Sequence, residues 1–215
     1  MNRTKARTPH RVRVVAVLAL SGLGLLPAPP AGIAATAVDR CTNLKLPVRK
    51  TGERPGQYAD FCAREPQDCA MTGVPIVGWL PEMRTTIDAA NKEVNARCTF
   101  APDLEWRGEE NIWSFPFRGR GDCEDFALEK RRLLASVGIP RAAMTLAIVH
   151  HATQLYSHVV LLIETQGGTF VLDNLNDQIA CWSEAHFYFE GRERTDGRWD
   201  WYEQSKWKFG QEPRY

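Results

Sequence analysis

The chain has 215 residues, 27 basic against 26 acidic side chains, and a formal net charge of +1. That balance gives no footing for a polybasic contact with nucleic acid or anionic membrane. Six cysteines occur, none in C-x-x-C spacing, which argues against a zinc ribbon or a thioredoxin-like motif.

The first 13 residues carry Arg3, Lys5, Arg7, Arg11 and Arg13 and no acid; Val14–Leu26 is a short apolar run, and Ala35-Thr36-Ala37 is a small-residue cleavage site. This is the pattern of a secretory signal peptide over residues 1–37, since the run falls short of the about 20 residues that span a bilayer. Residues 38–215 are then expected as a single domain, exported to the periplasm or secreted, with no membrane segment after cleavage. Removing the leader takes five basic residues, leaving 22 basic against 26 acidic and a net charge of −4.

Residues 38–81 hold Pro47, Pro55, Pro66, Pro75 and Pro81 and read as a mostly irregular arm. Within it Cys62 and Cys69 are close enough to form a local bridge in an oxidising compartment. Ile87, Ala90, Val94 and Arg97 recur at helical spacing, which predicts a helix over about 83–97. Residues 99–121 are loop-like, with Trp106, Trp113, Phe115 and Phe117 among charges.

RGRGDCEDFALEKRRLLASVGIP, from Arg118, carries the strongest helix signal. Asp122 and Asp125 stand at the cap and third positions of a helix start, and Gly138 with Pro140 marks its end. Ala143–His150, His158–Thr165 and Thr169–Asp173 then read as β-strands, with a hairpin turn at Gln166-Gly167-Gly168. The tail from Cys181 has apolar spacing too irregular to assign. A helix packed on an antiparallel sheet is an α+β arrangement.

A thiol at a helix N-terminus sees about half a positive charge from the macrodipole, and an imidazole can accept its proton. Cys123 is placed that way, although Asp122, Glu124 and Asp125 oppose a thiolate. If Cys123 is free, five cysteines remain and one more must be unpaired; Cys41, Cys98 and Cys181 are left unassigned. Among the histidines, the hairpin register favours His158. With Glu164 opposite Thr169, His158 and Asp173 become diagonal neighbours on one sheet face. A loop one residue shorter would part them, and His150 or His151 could then serve instead. Cys123, His158 and Asp173 together supply nucleophile, base and orienter. Asp122, Glu124 and Asp125 are either helix-end acids or ligands of a hard cation such as calcium, which would offset their charge.

The segments GDCEDFALEKRRLLASVGIP, SHVVLLIET and VLDN, with FCAREPQDC and EVN…W upstream, resemble the bacterial transglutaminase-like cysteine proteinase family. The resemblance covers about residues 58–207 and places the chain in the wider papain-like and transglutaminase-like clan. It implies a core whose catalytic helix packs on an antiparallel sheet, with Cys123 as nucleophile, His158 as general base and acid, and Asp173 as orienter. It further implies a periplasmic cysteine protease acting on a protein or peptide substrate, such as a cell-surface protein. Calcium held by Asp122, Glu124 and Asp125 follows from the same likeness. One departure stands out: Asn111 occupies the place, two residues before Trp113, where the family pattern has an aspartate. A tryptophan such as Trp113 serves the oxyanion hole in some relatives of the clan, although core packing suits it as well. The rival expectations are a transglutaminase-type acyl transferase and a non-catalytic periplasmic binding or scaffold protein that keeps the fold.

Overall fold

The two-residue alternation that follows Pro140 forms the centre of the structure, a computed structural model in which residues 41–154 and 156–203 are described. In chain order the elements are β1 (Val48–Gly52), α1 (Gly56–Arg64), α2 (Pro81–Arg97), β2 (Thr99–Phe100), α3 (Asp103–Trp106), β3 (Arg120–Gly121), α4 (Cys123–Ser136), β4 (Met144–His151), β5 (Ser157–Thr165), β6 (Gly168–Asp173), β7 (Asn176–Cys181), β8 (Phe187–Glu193) and β9 (Trp199–Tyr202). Seven strands form an antiparallel sheet in the order β1-β9-β8-β4-β5-β6-β7, and β2 pairs with β3 in a small parallel ladder. The fold is α+β, as expected. The leader over 1–37 lies outside the described residues, and among those described no helix is long and apolar enough to cross a membrane.

Side-chain parity sorts the sheet into two faces. Met144, Leu146, Leu161, Ile163, Phe170 and Leu172 face one core with Ile87, Ala90, Ala127, Leu128 and Leu134 of the helices. Ala147, Val149, Val160, Leu162 and Val171 face the other, with Leu44, Phe189 and Tyr202. Truncating a fully buried residue such as Leu128 or Leu134 to Ala would cost about 2–5 kcal/mol.

The expected strands appear within a residue of their predicted ends, and the hairpin has the expected register, Glu164 opposite Thr169. Helix α2 begins at Pro81, a favoured first position because its missing N–H would be unpaired there anyway. The segment read as an irregular arm is more ordered than expected. It contains β1 and α1, and α1 buries Tyr58 and Phe61 on one face, three residues apart. The tail supplies β8 and β9. Two disulfides form, Cys62–Cys69 as expected and Cys41–Cys181, while Cys98 and Cys123 are free thiols.

Helix α4 is anchored deep in the molecule. Arg131, 1% exposed, donates to Glu193 Oε2 at 2.7 Å and to the Tyr58 hydroxyl at 2.9 Å, and Tyr58 donates to Glu193 Oε1 at 2.5 Å. The helix ends as the sequence predicts: Gly138 takes φ +92°, with Gly138 N–H on Ala135 O and Ile139 N–H on Leu134 O.

Lys130 on the same helix is 1% exposed and makes no ion pair within 4 Å among the described residues. Burial pushes its ammonium down to about 7 from an ordinary 10.5, against the opposing pull of Asp173, Asp177 and Cys98. A lysine depressed in the fold binds fewer protons folded than unfolded between those two values. Stability should therefore rise with pH from about 7 to about 10.5, and the cost of burial should be complete below 7. Lys130→Met is expected to raise stability at pH 6 by a few kcal/mol, at about 1.4 kcal/mol per pH unit of displacement. It should also flatten the alkaline rise. Chemical denaturation followed by circular dichroism at pH 6, 8 and 10 checks both; equal pH slopes in the two proteins would refute the assignment.

Candidate active site

Cys123 is the first residue of α4, half-buried at the helix start. Helix α4 packs on β5, and the backbone of Val159, next to His158, is near enough to the thiol to offset part of the rise in its pKa. The thiol itself donates to Glu124 Oε2 at 3.1 Å. Burial pushes its pKa well above the ordinary value, and the charges of Glu124 and Asp122 push it further. The opposition expected from neighbouring carboxylates is therefore present, and it exceeds what half a dipole charge supplies. In this arrangement Cys123 is a thiol.

His158 lies at the start of β5 and Asp173 at the end of β6, 3% and 8% exposed. His158 Nε2 and Asp173 Oδ1 are 2.8 Å apart. The pairing of Leu161 with Leu172 extends to a register in which 160 would face 173, the diagonal geometry the hairpin predicted. Between Val171 and Asp173 the β6–β7 register shifts, a bulge of the kind that re-aims a side chain beside a functional site. Burial alone would raise the Asp173 carboxyl, but the hydrogen bond and charge of His158 hold it below its usual value. A second donor, Leu175 N–H, reaches the same oxygen at 3.0 Å. With Nε2 committed to Asp173, Nδ1 is the imidazole nitrogen left to take a proton. The ring is framed by Tyr156, edge-on at 6.0 Å, and by Phe187 at 5.6 Å.

His150 and His151 are engaged elsewhere. His150, buried, has its Nε2 2.7 Å from Glu190, while His151 Nδ1 meets the Thr153 hydroxyl at 3.1 Å. Trp113 sits in the core, 4% exposed and 5.0 Å from the Tyr58 ring, in the packing role that the sequence allowed. Arg118 lies over Phe117 at 5.2 Å.

The acids beside the cysteine take a different form from the one expected. Neither Asp122 nor Asp125 caps α4: no side-chain cap bond is made. Asp125, fully buried, accepts from Ser114 N–H at 2.8 Å and the Ser114 hydroxyl at 3.2 Å, and meets Arg107 Nη2 at 3.4 Å. Gly121 makes room for it, since a Cβ there would stand 2.6 Å from Asp125 Cβ. Glu124, read as a possible solvated first-turn acid, is 4% exposed.

Asp122 and Glu124 instead converge with Asp103 of α3, one oxygen from each lying within 4.8 Å of the others. Among the described residues, Asp103 Oδ1, Asp122 Oδ1 and Glu124 Oε1 are buried with no hydrogen-bond donor, and of the three only Asp103 Oδ1 has a cation at hand, Arg107 Nε at 3.1 Å. Burial and then the Asp122 charge push Glu124 up to about 8, and burial and then Asp103 raise Asp122. Asp125 is likewise pushed up to about 8, by burial first. Buried carboxylates crowded in this way, with oxygens lacking donors, fit a hard cation that takes oxygen ligands. The sequence reading missed Asp103. Its nearest signal was the vacancy at Asn111, where an acid was expected; Asp103 Oδ2 reaches back to that loop, accepting from Ile112 N–H at 2.6 Å.

Solved structures resemble the chain, among them three of one protein. Legionella pneumophila LapG in its calcium-bound form is 20% identical, covering 74% of this chain and 88% of that one, with a TM-score of 0.49. A second structure of the same protein is 22% identical, covering 71% and 84%, also with a TM-score of 0.49. The third, treated with EGTA, is 21% identical, covering 74% and 83%, with a TM-score of 0.48. No protein among curated sequences matches significantly. The family description that matches residues 48–207 is that of bacterial transglutaminase-like cysteine proteinases, and the chain belongs to that family.

Proposed function

We propose that the chain is an exported cysteine protease in which Cys123, His158 and Asp173 form the catalytic triad. The observation that carries this reading is the buried His158–Asp173 hydrogen bond, formed on the strand against which the helix begun by Cys123 packs. His158 Nδ1 takes the thiol proton and the sulfur attacks the peptide carbonyl carbon. Backbone N–H groups at the start of α4, Cys123 foremost, face the oxyanion that develops. His158 returns the proton to the departing amine as the C–N bond breaks, leaving a thioester. Water, deprotonated by the same nitrogen, then releases the acid and regenerates the thiol. An amine in place of water would give acyl transfer with the same residues, so the substrate decides between the two outcomes. Family membership supports hydrolysis of a protein, and a cell-surface protein suits an exported enzyme.

Asp103, Asp122 and Glu124 are the residues that would hold calcium, and Asp125 steadies their loop through Arg107 and Ser114. A bound divalent cation supplies the charge that offsets two of the carboxylates opposing the thiolate. Export is supported by the leader pattern in residues 1–37 and by the two disulfides.

Iodoacetamide at about pH 6.5 is expected to label Cys123 selectively in the mature protein with calcium present. His158→Ala should slow labelling at least about 100-fold, as loss of a general base does. Mass spectrometry of the labelled peptide checks this, and equal rates in the two proteins would sink the triad. For the cation, a free calcium concentration about 100-fold above Kd should stabilise the fold by about 2.7 kcal/mol, reversed by chelator. Asp103→Asn should abolish that response, visible as a calcium-independent melting temperature. Retention of the full shift in Asp103→Asn would remove Asp103 from the ligand set.

A further inference from the structure

Two asparagines lie on the packed side of the C-terminal half of α2, where an apolar stripe is expected. Asn91 is fully buried between Ile87, Ala90 and Val94, and Asn95 lies one turn further along. Asparagine is a poor residue for a helix interior because its amide competes for backbone groups. Here both amides reach out of the helix to one place, the end of β6 and the first two residues of β7, which bracket the turn joining them. Asn91 Nδ2 donates to the carbonyls of Asn176 and Asp177, at 2.8 and 3.0 Å. Asn95 Nδ2 donates to the carbonyl of Asp173 at 3.0 Å, to that of Asn176 at 3.3 Å and to Asp177 Oδ1 at 3.0 Å. The Oδ1 atoms of both asparagines are buried without a donor, so it is the amide N–H groups that engage.

The turn that they hold carries Asp173. It directly follows the β6–β7 bulge, has exposed residues at its tip and sits on the edge strand of the sheet. The Leu175 N–H bond to Asp173 Oδ1 orients the carboxylate locally, but it lies within the turn and does not tie this edge to the rest of the fold. Asp173 and Asp177 flank it, and Lys130 of α4 feels the charge of both.

We propose that Asn91 and Asn95 are positioning residues for the catalytic reaction: by clamping the β6–β7 turn to α2 they fix the carboxylate of Asp173 against His158 Nε2. The clamp rests on the triad proposed above. Helix α2 packs on both β7 and α4, so it ties the orienting carboxylate to the helix that begins with Cys123. A displacement of about 1 Å at such a carboxylate is enough to cost on the order of 100-fold in rate.

The test uses the mature protein and Asn95→Ala, Asn91→Ala and Val94→Ala, the last removing buried packing from the same helix without touching the turn. Three quantities are read: the rate of Cys123 alkylation, the low-field proton resonance of a His158 Nε2–H bonded to a carboxylate, and the melting temperature. Asn95→Ala is expected to slow alkylation about 10- to 100-fold and to shift or broaden the low-field resonance. Asn91→Ala should do the same to a smaller degree. Val94→Ala should lower the melting temperature by several degrees, as much as either asparagine variant, with alkylation rate and resonance as in wild type. Wild-type alkylation and resonance in both asparagine variants would overturn the clamp while leaving the triad intact. Equal slowing in Val94→Ala would also overturn it, by showing that lost stability alone is responsible. If His158→Ala itself leaves alkylation unchanged, the triad falls and the clamp with it.

Discussion

The guanidinium of Arg131, buried between Glu193 and Tyr58, fixes where α4 lies on the sheet, and the rest of the site is measured from that helix. Breaking a buried charge pair by removing one partner costs about 3–5 kcal/mol, because the survivor stays in a low-dielectric interior unpaired. The pair is satisfied on all sides: Glu193 Oε2 also accepts from Leu146 N–H at 3.2 Å, so α1, α4, β4 and β8 meet at one carboxylate. Hydrophobic contacts under α4 would tolerate some sliding; a bidentate polar node does not. With α4 fixed lengthwise, its first residue, Cys123, is fixed as well.

The residues that form the site come from elements that fix position in different ways. His158 and Asp173 inherit their places from the hairpin, where a period of two and a two-residue turn leave one register. Cys123 inherits its place from a helix start. Asp103 inherits its place from a loop that closes only because Asp125 and Arg107 hold it, with Arg107 contacting both acids. Charge therefore does two jobs at this end of the molecule. Some carboxylates are consumed in holding the loop, and others are left with oxygens aimed at each other. That second group raises the thiol's proton affinity and makes the cluster a cation site by the same physics.

Much of this was legible in the sequence because it depends on short-range rules. The strand alternation after Pro140, the Gly138 stop, the Gln166-Gly167 turn and hence the His158–Asp173 pairing all follow from spacing within 40 residues. The Cys62–Cys69 bridge is equally local. What escaped depends on chain crossings that spacing does not encode. Asp103 joins Asp122 and Glu124 only through the fold of the 103–121 loop. Asp122 and Asp125 have the spacing of a capping box, but tertiary partners offer each carboxylate something other than its own helix end, and local propensity loses. Helix α1 was hidden by flanking prolines, since two buried aromatics in nine residues are a weak periodic signal. Cys41 and Cys181, at opposite ends of the chain, carry no mutual mark at all.

That last pair gives the domain an unusual kind of fastening. The bond between Cys41 and Cys181 joins residues 140 apart in sequence, and Asp103, Asp122, Cys123, Glu124, His158 and Asp173 all fall inside the ring it closes. A single backbone cut anywhere within the ring leaves the two pieces covalently joined, with the strand carrying the histidine still linked to the helix carrying the sulfur. An enzyme working among other proteases, or beside further copies of itself, can thus be nicked in an exposed loop and stay in one piece.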